Sequence, residues 1–340
     1  MGAAVASISV RDVASRAGVS VGTVSNVLNR PDRVSAKTRE RVTRVISELG
    51  FVRNDAARQL RAGSSRTMGL IVPDFSNPFF SDIARGAQEA ADENGSVILL
   101  GNSGHSADRQ SFYLDLFEEQ RVRGMLIAPV GDVEERLVRL RQRGIPAVLV
   151  GRRVPNSGLS SVSVDDVAGG ERAVDHLVGL GRRRLALVGG PPSMQAVMDR
   201  LAGARRAARR LGATLEVIGT ESLTILEGRA AGNRIVARSR AERPDAVFAA
   251  NDLVALGLVQ SFVMGNGMSI PHEIAIVGYD DIDFASSAVV PISSIRQPSA
   301  IIGRTAVERL VAEADGLEQP GIDIQFQPEL VVRASTAPAA

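Results

Sequence analysis

Ser9-Val10-Arg11-Asp12-Val13-Ala14-Ser15-Arg16-Ala17-Gly18-Val19-Ser20-Val21-Gly22-Thr23-Val24-Ser25-Asn26-Val27-Leu28-Asn29 decides how the chain begins. Ser9 followed three residues later by Asp12 is a capping-box start, after which Val10, Val13, Ala14 and Ala17 form a short apolar face. Gly18-Val19-Ser20 supplies a tight turn and places Ser20 to cap a second helix. In that helix Val24, Val27 and Leu28 recur at i, i+3, i+4, which leaves Val21, Gly22, Thr23, Ser25 and Asn26 facing outward. Asn29-Arg30-Pro31-Asp32 breaks the chain. Ser35 is then expected to cap a third helix, with Val42, Val45, Ile46 and Leu49 at i, i+3, i+4, i+7. Two helices across a three-residue turn, closed by a third, predict an all-α helix-turn-helix headpiece whose second helix enters a DNA major groove.

The charge distribution agrees with that pattern. The 340 residues carry a net charge of +2, but the first 66 hold twelve basic and five acidic side chains, and the remainder 28 and 33. A basic head on a mildly acidic body predicts a polyanion partner for the head alone, although a solvated basic surface gives the same charge count. Lys37 is the only lysine.

Composition closes off several classes of function. With 44% hydrophobic and 23% charged residues the chain reads as a globular protein of two or three domains. It has no cysteine, which removes disulfides, thiolate metal sites and thiol nucleophiles. His105, His176 and His272 never fall at ligand spacing. No metal or other cofactor is implied. The first residues, Met1-Gly2-Ala3-Ala4-Val5-Ala6, lack an export pattern, and no apolar run is long enough to span a membrane, so the expected location is cytoplasmic. Asp280, Asp281 and Asp283 are clustered but have no histidine with them. Gly179-Leu180-Gly181 lacks a third glycine and the strand-before-helix context of a dinucleotide site. Gly101-Asn102-Ser103-Gly104 misses the nucleophile-elbow spacing. An enzyme is not expected.

From Arg66 the period changes. Met68–Val72, Val97–Gly101, Met125–Ala128, Ala147–Val150, Leu185–Val188, Ala246–Ala249 and Ile274–Val277 are short apolar runs between amphipathic stretches. Such alternation predicts α/β architecture, with parallel sheets covered by helices on both faces. Ligands in such sheets bind beyond the carboxyl ends of the strands.

The residues from Asp12 to Asn29 resemble the headpiece of the lac repressor family of bacterial transcription regulators. Val34-Ser35-Ala36-Lys37-Thr38-Arg39-Glu40 and Asn54-Asp55-Ala56-Ala57-Arg58-Gln59-Leu60 continue the resemblance in register. It runs along nearly the whole chain: Gly69-Leu70-Ile71-Val72-Pro73-Asp74, Asn77-Pro78-Phe79-Phe80, Gly189-Gly190-Pro191, Arg200-Leu201-Ala202-Gly203, Asn251-Asp252 and Val277-Gly278-Tyr279-Asp280-Asp281 fall in the family's order. Each motif alone is weak, and the ordered set is specific.

The resemblance implies a headpiece at 1–52, a hinge helix and linker at 53–65, and a periplasmic-binding-protein-like core of two parallel-sheet lobes. The expected first lobe is 66–165 plus 294–325. The second is 166–293 plus 326–340, with an effector cleft between them and crossovers near Val162–Asp166 and Ile292–Gln297. It implies DNA contacts from Val10, Ser20, Val21, Gly22, Thr23, Ser25, Asn26, Asn29, Arg33, Ser35 and Thr38. In the hinge it implies Asn54, Ala57, Arg58 and Leu60, with Leu60 wedged into the minor groove. Read as an ordinary helix, Ala56, Ala57 and Leu60 would instead be a small packing face.

Asn26 is the best candidate base reader, since an amide can bond N6 and N7 of adenine, and the bland alternative is a solvated asparagine. Relatives often carry arginine at Asn26, longer groups at Val21 and Gly22, and proline at Arg53, so the operator does not transfer from a relative. Paired hinge helices imply a homodimer on a near-palindromic duplex.

Phe79, Arg152, Arg200, Asn251 and Asp280 fall on effector-binding positions. A guanidinium fork, an amide and a carboxylate together suit a sugar or sugar derivative. Phe80 is either a second ring face or core. Gly151 departs from relatives that place an acceptor aspartate there. The expected function is a transcriptional regulator, most often a repressor, switched by a small effector. Two alternatives are control by a phosphorylated protein corepressor and a solute-binding protein. The second has no use for a DNA headpiece.

Overall fold

The computed structural model describes residues 8–51 and 65–337. The chain divides into two compact units, Met1–Ser64 and Ser65–Ala340. The hinge residues Asn54, Ala57, Arg58 and Leu60 lie outside the described residues.

In the first unit, helices α1 (Val10–Ala17), α2 (Val21–Asn29) and α3 (Ala36–Leu49) surround a core of Val13, Ala14, Ala17, Val24, Val27, Val42 and Val45. Leu28, Ile46 and Leu49 pack against it half-buried. The capping box forms as the sequence predicts: Asp12 N donates to Ser9 Oγ at 3.4 Å and Ser9 N to Asp12 Oδ2 at 2.8 Å. Gly18 ends α1 in the left-handed region at φ 63°, and its N–H returns to the carbonyls of Ala14 and Ser15. Pro31–Arg33 forms a 3-10 turn. The expected cap at Ser35 is different in kind. Ser35 occupies the N-cap position of α3, but its hydroxyl donates to Thr38 Oγ1 at 3.0 Å instead of accepting from the backbone.

The second unit holds two six-stranded sheets. The first is ordered β11-β5-β4-β3-β1-β2, from β1 (Thr67–Val72), β2 (Val97–Asn102), β3 (Met125–Ile127), β4 (Ala147–Val150), β5 (Ser160–Val164) and β11 (Asp323–Phe326), all parallel. The second is ordered β12-β10-β9-β8-β6-β7, from β6 (Arg184–Val188), β7 (Thr214–Ile218), β8 (Ala246–Ala249), β9 (Ala275–Asp280), β10 (Ser293–Arg296) and β12 (Glu329–Val331). Its one antiparallel pairing joins β10 to β12. Six of the seven apolar runs read from sequence are strands whose side chains are buried on both sheet faces, as at Leu70, Ile71, Leu126 and Ile276, whereas the run Val97–Gly101 forms edge strand β2 and leaves Val97, Leu99 and Leu100 exposed.

The chain passes between sheets after β5, after β10 and after β11. Ser294–Arg296, expected in the first lobe, are strand β10 of the second, and Phe326, expected in the second, pairs with Val164 in the first. Serine-rich β5 gave no apolar signal, yet all five of its residues are buried. Ser160 Oγ accepts from Gly321 N and Ile322 N at 3.0 Å each, and Ser161 donates to Asp323 Oδ1 at 2.6 Å. These hydroxyls satisfy the segment leading into β11, so the strand is polar because of what it holds.

The covering helices come close where glycines allow it. Helices α7 (Asp166–Gly179) and α8 (Gln195–Arg210) cross so that a Cβ at Gly170 would collide with the Arg200 carbonyl, and one at Gly203 with the Val167 carbonyl. That approach sets Asp166 beside Arg200. The remaining long helices are α4 (Pro78–Glu93), α5 (Ala107–Glu119), α6 (Glu134–Gln142), α9 (Ile225–Val236) and α10 (Asp252–Val259). A one-turn α11 (Asp283–Ser286) and α12 (Ser299–Ala314) follow.

Candidate nucleic-acid interface and ligand cleft

In the headpiece, Ser20 accepts from Thr23 N at 3.0 Å and its hydroxyl pairs with that of Thr23 at 2.9 Å, which fixes the start of α2. Burial of Val24 and Val27 turns the other face outward. Val21 is 41% exposed, Gly22, Asn26 and Asn29 are exposed, and Thr23 and Ser25 are half-buried. Asn29 donates its amide to the Ser25 carbonyl at 2.9 Å, so it is engaged within its own helix. Val10 is half-buried against the core, Ser20, Arg33 and Ser35 are exposed, and Thr38 is half-buried. Among the described headpiece residues one ion pair forms, Arg44 with Glu48 at 3.8 Å, so most of the basic charge is not matched by a carboxylate. A helix N-terminus with free backbone N–H groups, hydroxyls beside it and an exposed amide one turn on is suited to phosphates and a base edge.

In the second unit, the segment following β1 and the end of β9, at the carboxyl ends of the two sheets, meet where Asn77 Nδ2 donates to Asp280 Oδ2 at 3.4 Å. Arg200, 5% exposed, lies on the second-lobe side of that contact. Its Nε donates to Asp166 Oδ1 at 2.8 Å and its Nη1 to the Ala250 carbonyl at 2.6 Å, while Nη2 stands 3.8 Å from Asp280 Oδ1. The guanidinium stacks on the Tyr279 ring, 3.6 Å from its centroid. Burial works against this charge, but the carboxylates of Asp166 and Asp280 and the Tyr279 ring outweigh it and hold Arg200 protonated more firmly than usual.

Asp280 ends β9 with φ 101°, a region a side chain rarely adopts. Gln297, just past β10, donates to its Oδ1 at 2.7 Å. Burial pushes the Asp280 carboxyl up to about 6, against the opposing pull of Arg200, Gln297 and Asn77. Asn251 caps α10, accepting from Val254 N at 2.9 Å, and reaches the Leu223 carbonyl with its amide at 3.3 Å. Asp252 lies under β9, where Gly278 leaves room that a Cβ would fill. It accepts from Ser294 Oγ at 2.7 Å and from Ile282 N at 2.9 Å, and burial raises its carboxyl well above the ordinary range. It therefore holds the loop that carries Asp280.

The structure thus brings Arg200, Asn251 and Asp280 into one neighbourhood. Phe79 is buried in the first-lobe core, edge-on to the half-buried Phe80 at 5.1 Å between centroids, so the exposed ring surface belongs to Phe80. Arg152 stands apart. Half-buried past β4, it donates to the Gly131 carbonyl at 2.6 Å and makes no ion pair among the described residues. Gly151 has φ 75° and open space at its Cβ position. Asp166, Tyr279, Asn77 and Gln297 complete the arrangement. All four lie in stretches legible as strand ends or crossovers, but nothing in the sequence says that they meet. Asp281 turns the other way, to Arg296 at 2.7 Å and Arg333 at 2.6 Å. Among the described residues no acidic or histidine group is arranged to hold a metal, and no helix is long and apolar enough to cross a membrane.

Comparison with known proteins identifies the family of both units. Residues 9–54 match the bacterial regulatory proteins of the lacI family, and residues 174–336 match a periplasmic binding protein-like domain. The HTH-type transcriptional regulator CelR of Thermobifida fusca is 35% identical over 334 residues, covering 95% of this chain and 96% of that protein. The lac repressor dimer bound to operator and the anti-inducer ONPF superposes with a TM-score of 0.82 at 27% identity, covering 97% of this chain and 99% of that one. A complex of transcriptional regulator CelR with cellobiose gives a TM-score of 0.72 at 32% identity, covering 96% and 99%. The chain is a DNA-binding transcriptional regulator of the lacI family, and not an enzyme.

Proposed function

We propose that this regulator is a repressor that acts as a homodimer on a near-palindromic operator in the cytoplasm, and that a sugar or sugar derivative bound between the lobes switches its DNA affinity. The observation that carries the reading is the 3.8 Å gap between Arg200 Nη2 and Asp280 Oδ1. One ligand hydroxyl can accept from the guanidinium and donate to the carboxylate at once. Arg200 is already balanced by Asp166, so an anionic group placed there would meet excess negative charge. A neutral polyol is the better fit. The cellobiose complex of a relative supports this class of ligand. Asn251 and the exposed ring surface of Phe80 flank the gap in this reading, with Phe79 packed behind Phe80, and Arg152 serves the first-lobe end.

On DNA, the second helix reads the major groove through Val21, Gly22 and Asn26. Val10, Ser20, Thr23, Ser25, Asn29, Arg33, Ser35 and Thr38 hold the backbone. The segment 53–65 serves as the hinge, with Leu60 as its minor-groove wedge and Asn54, Ala57 and Arg58 beside it. Effector binding changes lobe orientation and with it the spacing of paired hinges.

The full-length protein should select a near-palindromic duplex from randomised DNA, and one member of a panel of mono- and disaccharides including cellobiose should weaken that complex. Arg200→Lys keeps a charge between the buried carboxylates but loses the fork. It should retain operator affinity and lose the response. A response equal to wild type would place the effector site elsewhere.

A further inference from the structure

Asn77 does two jobs with one side chain. Its carbonyl oxygen accepts from Phe79 N at 3.0 Å and caps α4, and its amide crosses the cleft to Asp280. It is 8% exposed, so water is a poor substitute for either partner. On the other side of the bond, Asp280 is anchored. Gln297 holds its second oxygen, and the neighbouring Asp281, at φ 58°, is tied to Arg296 on β10 and to Arg333 past β12. The loop carrying Asp280 therefore belongs firmly to the second lobe.

Asn77 belongs as firmly to the first lobe. Helix α4 is locked onto α12, where a Cβ at Gly86 would strike the Ala300 carbonyl and one at Gly303 the Ile83 carbonyl. At 3.4 Å the amide-to-carboxylate bond is longer than the 2.7–2.9 Å usual for a charge-assisted pair. It is a bond with slack between two stiff bodies.

We propose that Asn77 is a positioning residue that sets lobe orientation, latching the α4–α12 pair of the first lobe to Asp280 of the second. A second ligand hydroxyl, next to the one that bridges Arg200 and Oδ1, donates to Asp280 Oδ2 and frees the amide, and the first lobe then turns about the crossovers with α4 and α12 moving together. The coupling to ligand rests on the effector reading above, but the latch itself is testable without a ligand.

The chain has no cysteine, so one placed at exposed Arg139 on α6 and one at exposed Arg205 on α8 can be spin-labelled cleanly in the full-length protein. Labelled subunits are diluted with unlabelled ones so that only distances within a chain are read. Asn77→Asp keeps a capping oxygen, removes the donor and adds repulsion against Asp280. Asn77→Ser caps the helix but cannot reach across. Both should shift and broaden the interlabel distance distribution, the aspartate variant more, with thermal midpoints near wild type because the cap survives. Asn77→Ala should change the distribution and also lower the midpoint. Wild-type distributions in both the aspartate and serine variants would overturn the latch.

The two readings fail separately. A shifted distribution in a protein whose DNA complex ignores the saccharide panel keeps the latch and removes the effector assignment. An unshifted one in a protein that responds does the reverse.

Discussion

Asn26 stands exposed on α2, one turn beyond the exposed Gly22 and next to the half-buried Ser25. Val21 and Gly22 toward the helix start carry no polar side chain and the Asn29 amide bonds the Ser25 carbonyl, so the Asn26 amide is the group placed to bond a base edge in two places. Asn26→Ala should cost about 1–3 kcal/mol at one base pair per half-site while leaving binding to unrelated DNA unchanged. Titration of the variant against operators substituted at each position measures this. A base preference identical to wild type at every position would exclude Asn26 as reader. Residue-scale reading of the sequence worked where a side chain acts on its own backbone neighbours, as at Ser9, Asp12, Gly18 and Ser20. It failed at Ser35, because a hydroxyl has more than one local partner and the nearby Thr38 oxygen was the one taken.

At the scale of elements, the pairing of α7 with α8 governs the cleft. Arg200 and Asp166 meet only because Gly170 and Gly203 let the helices touch backbone to backbone. Gly203→Ala should force them apart, destabilise the core by about 1–3 kcal/mol and loosen the Arg200–Asp166 pair. Urea unfolding checks the first part. The second should appear as weaker binding of whichever saccharide releases the DNA, with the same operator preferred. Full stability in the variant would mean the helices yield without cost. Arg200-Leu201-Ala202-Gly203 is recognisable in the sequence as a motif, but the reason for its glycine is visible only in the packed pair. Strand legibility followed burial chemistry. Apolar β1, β3, β4 and β8 announced themselves, whereas β5 did not, since its serines serve the segment entering β11. Edge strand β7, with Thr214, Glu216 and Val217 exposed, also carried too little apolar signal.

For the whole molecule, the buried carboxyl of Asp280 links stability to pH. Its folded value of about 6 lies above the ordinary 3.8. Between those values the folded chain keeps a proton that the unfolded chain has released, so this group's contribution is present below about pH 4 and is lost as pH rises through 6. The loss is on the order of 3 kcal/mol. Asp252 is displaced in the same direction and persists in a variant at 280. The fall in unfolding free energy from pH 4 to pH 7 should therefore be smaller, but not absent, in Asp280→Asn. Equal falls in the two proteins would show that Asp280 titrates normally.

The sequence alone determined the headpiece helices, the α/β character of the core and the family, because caps, helical periods and apolar runs act over a few residues. It also marked Arg200, Asn251 and Asp280. Only the tertiary structure decided that Arg200 is already neutralised by Asp166, that Asp280 is held by Asn77 and Gln297 from two directions, and that β10 lies in the second sheet between β9 and β12. Those facts depend on groups 17 to more than 200 residues apart in the chain, brought together by sheet order and helix packing. No local pattern records such a meeting, since its energy comes from desolvation and contact that exist only after the lobes have formed.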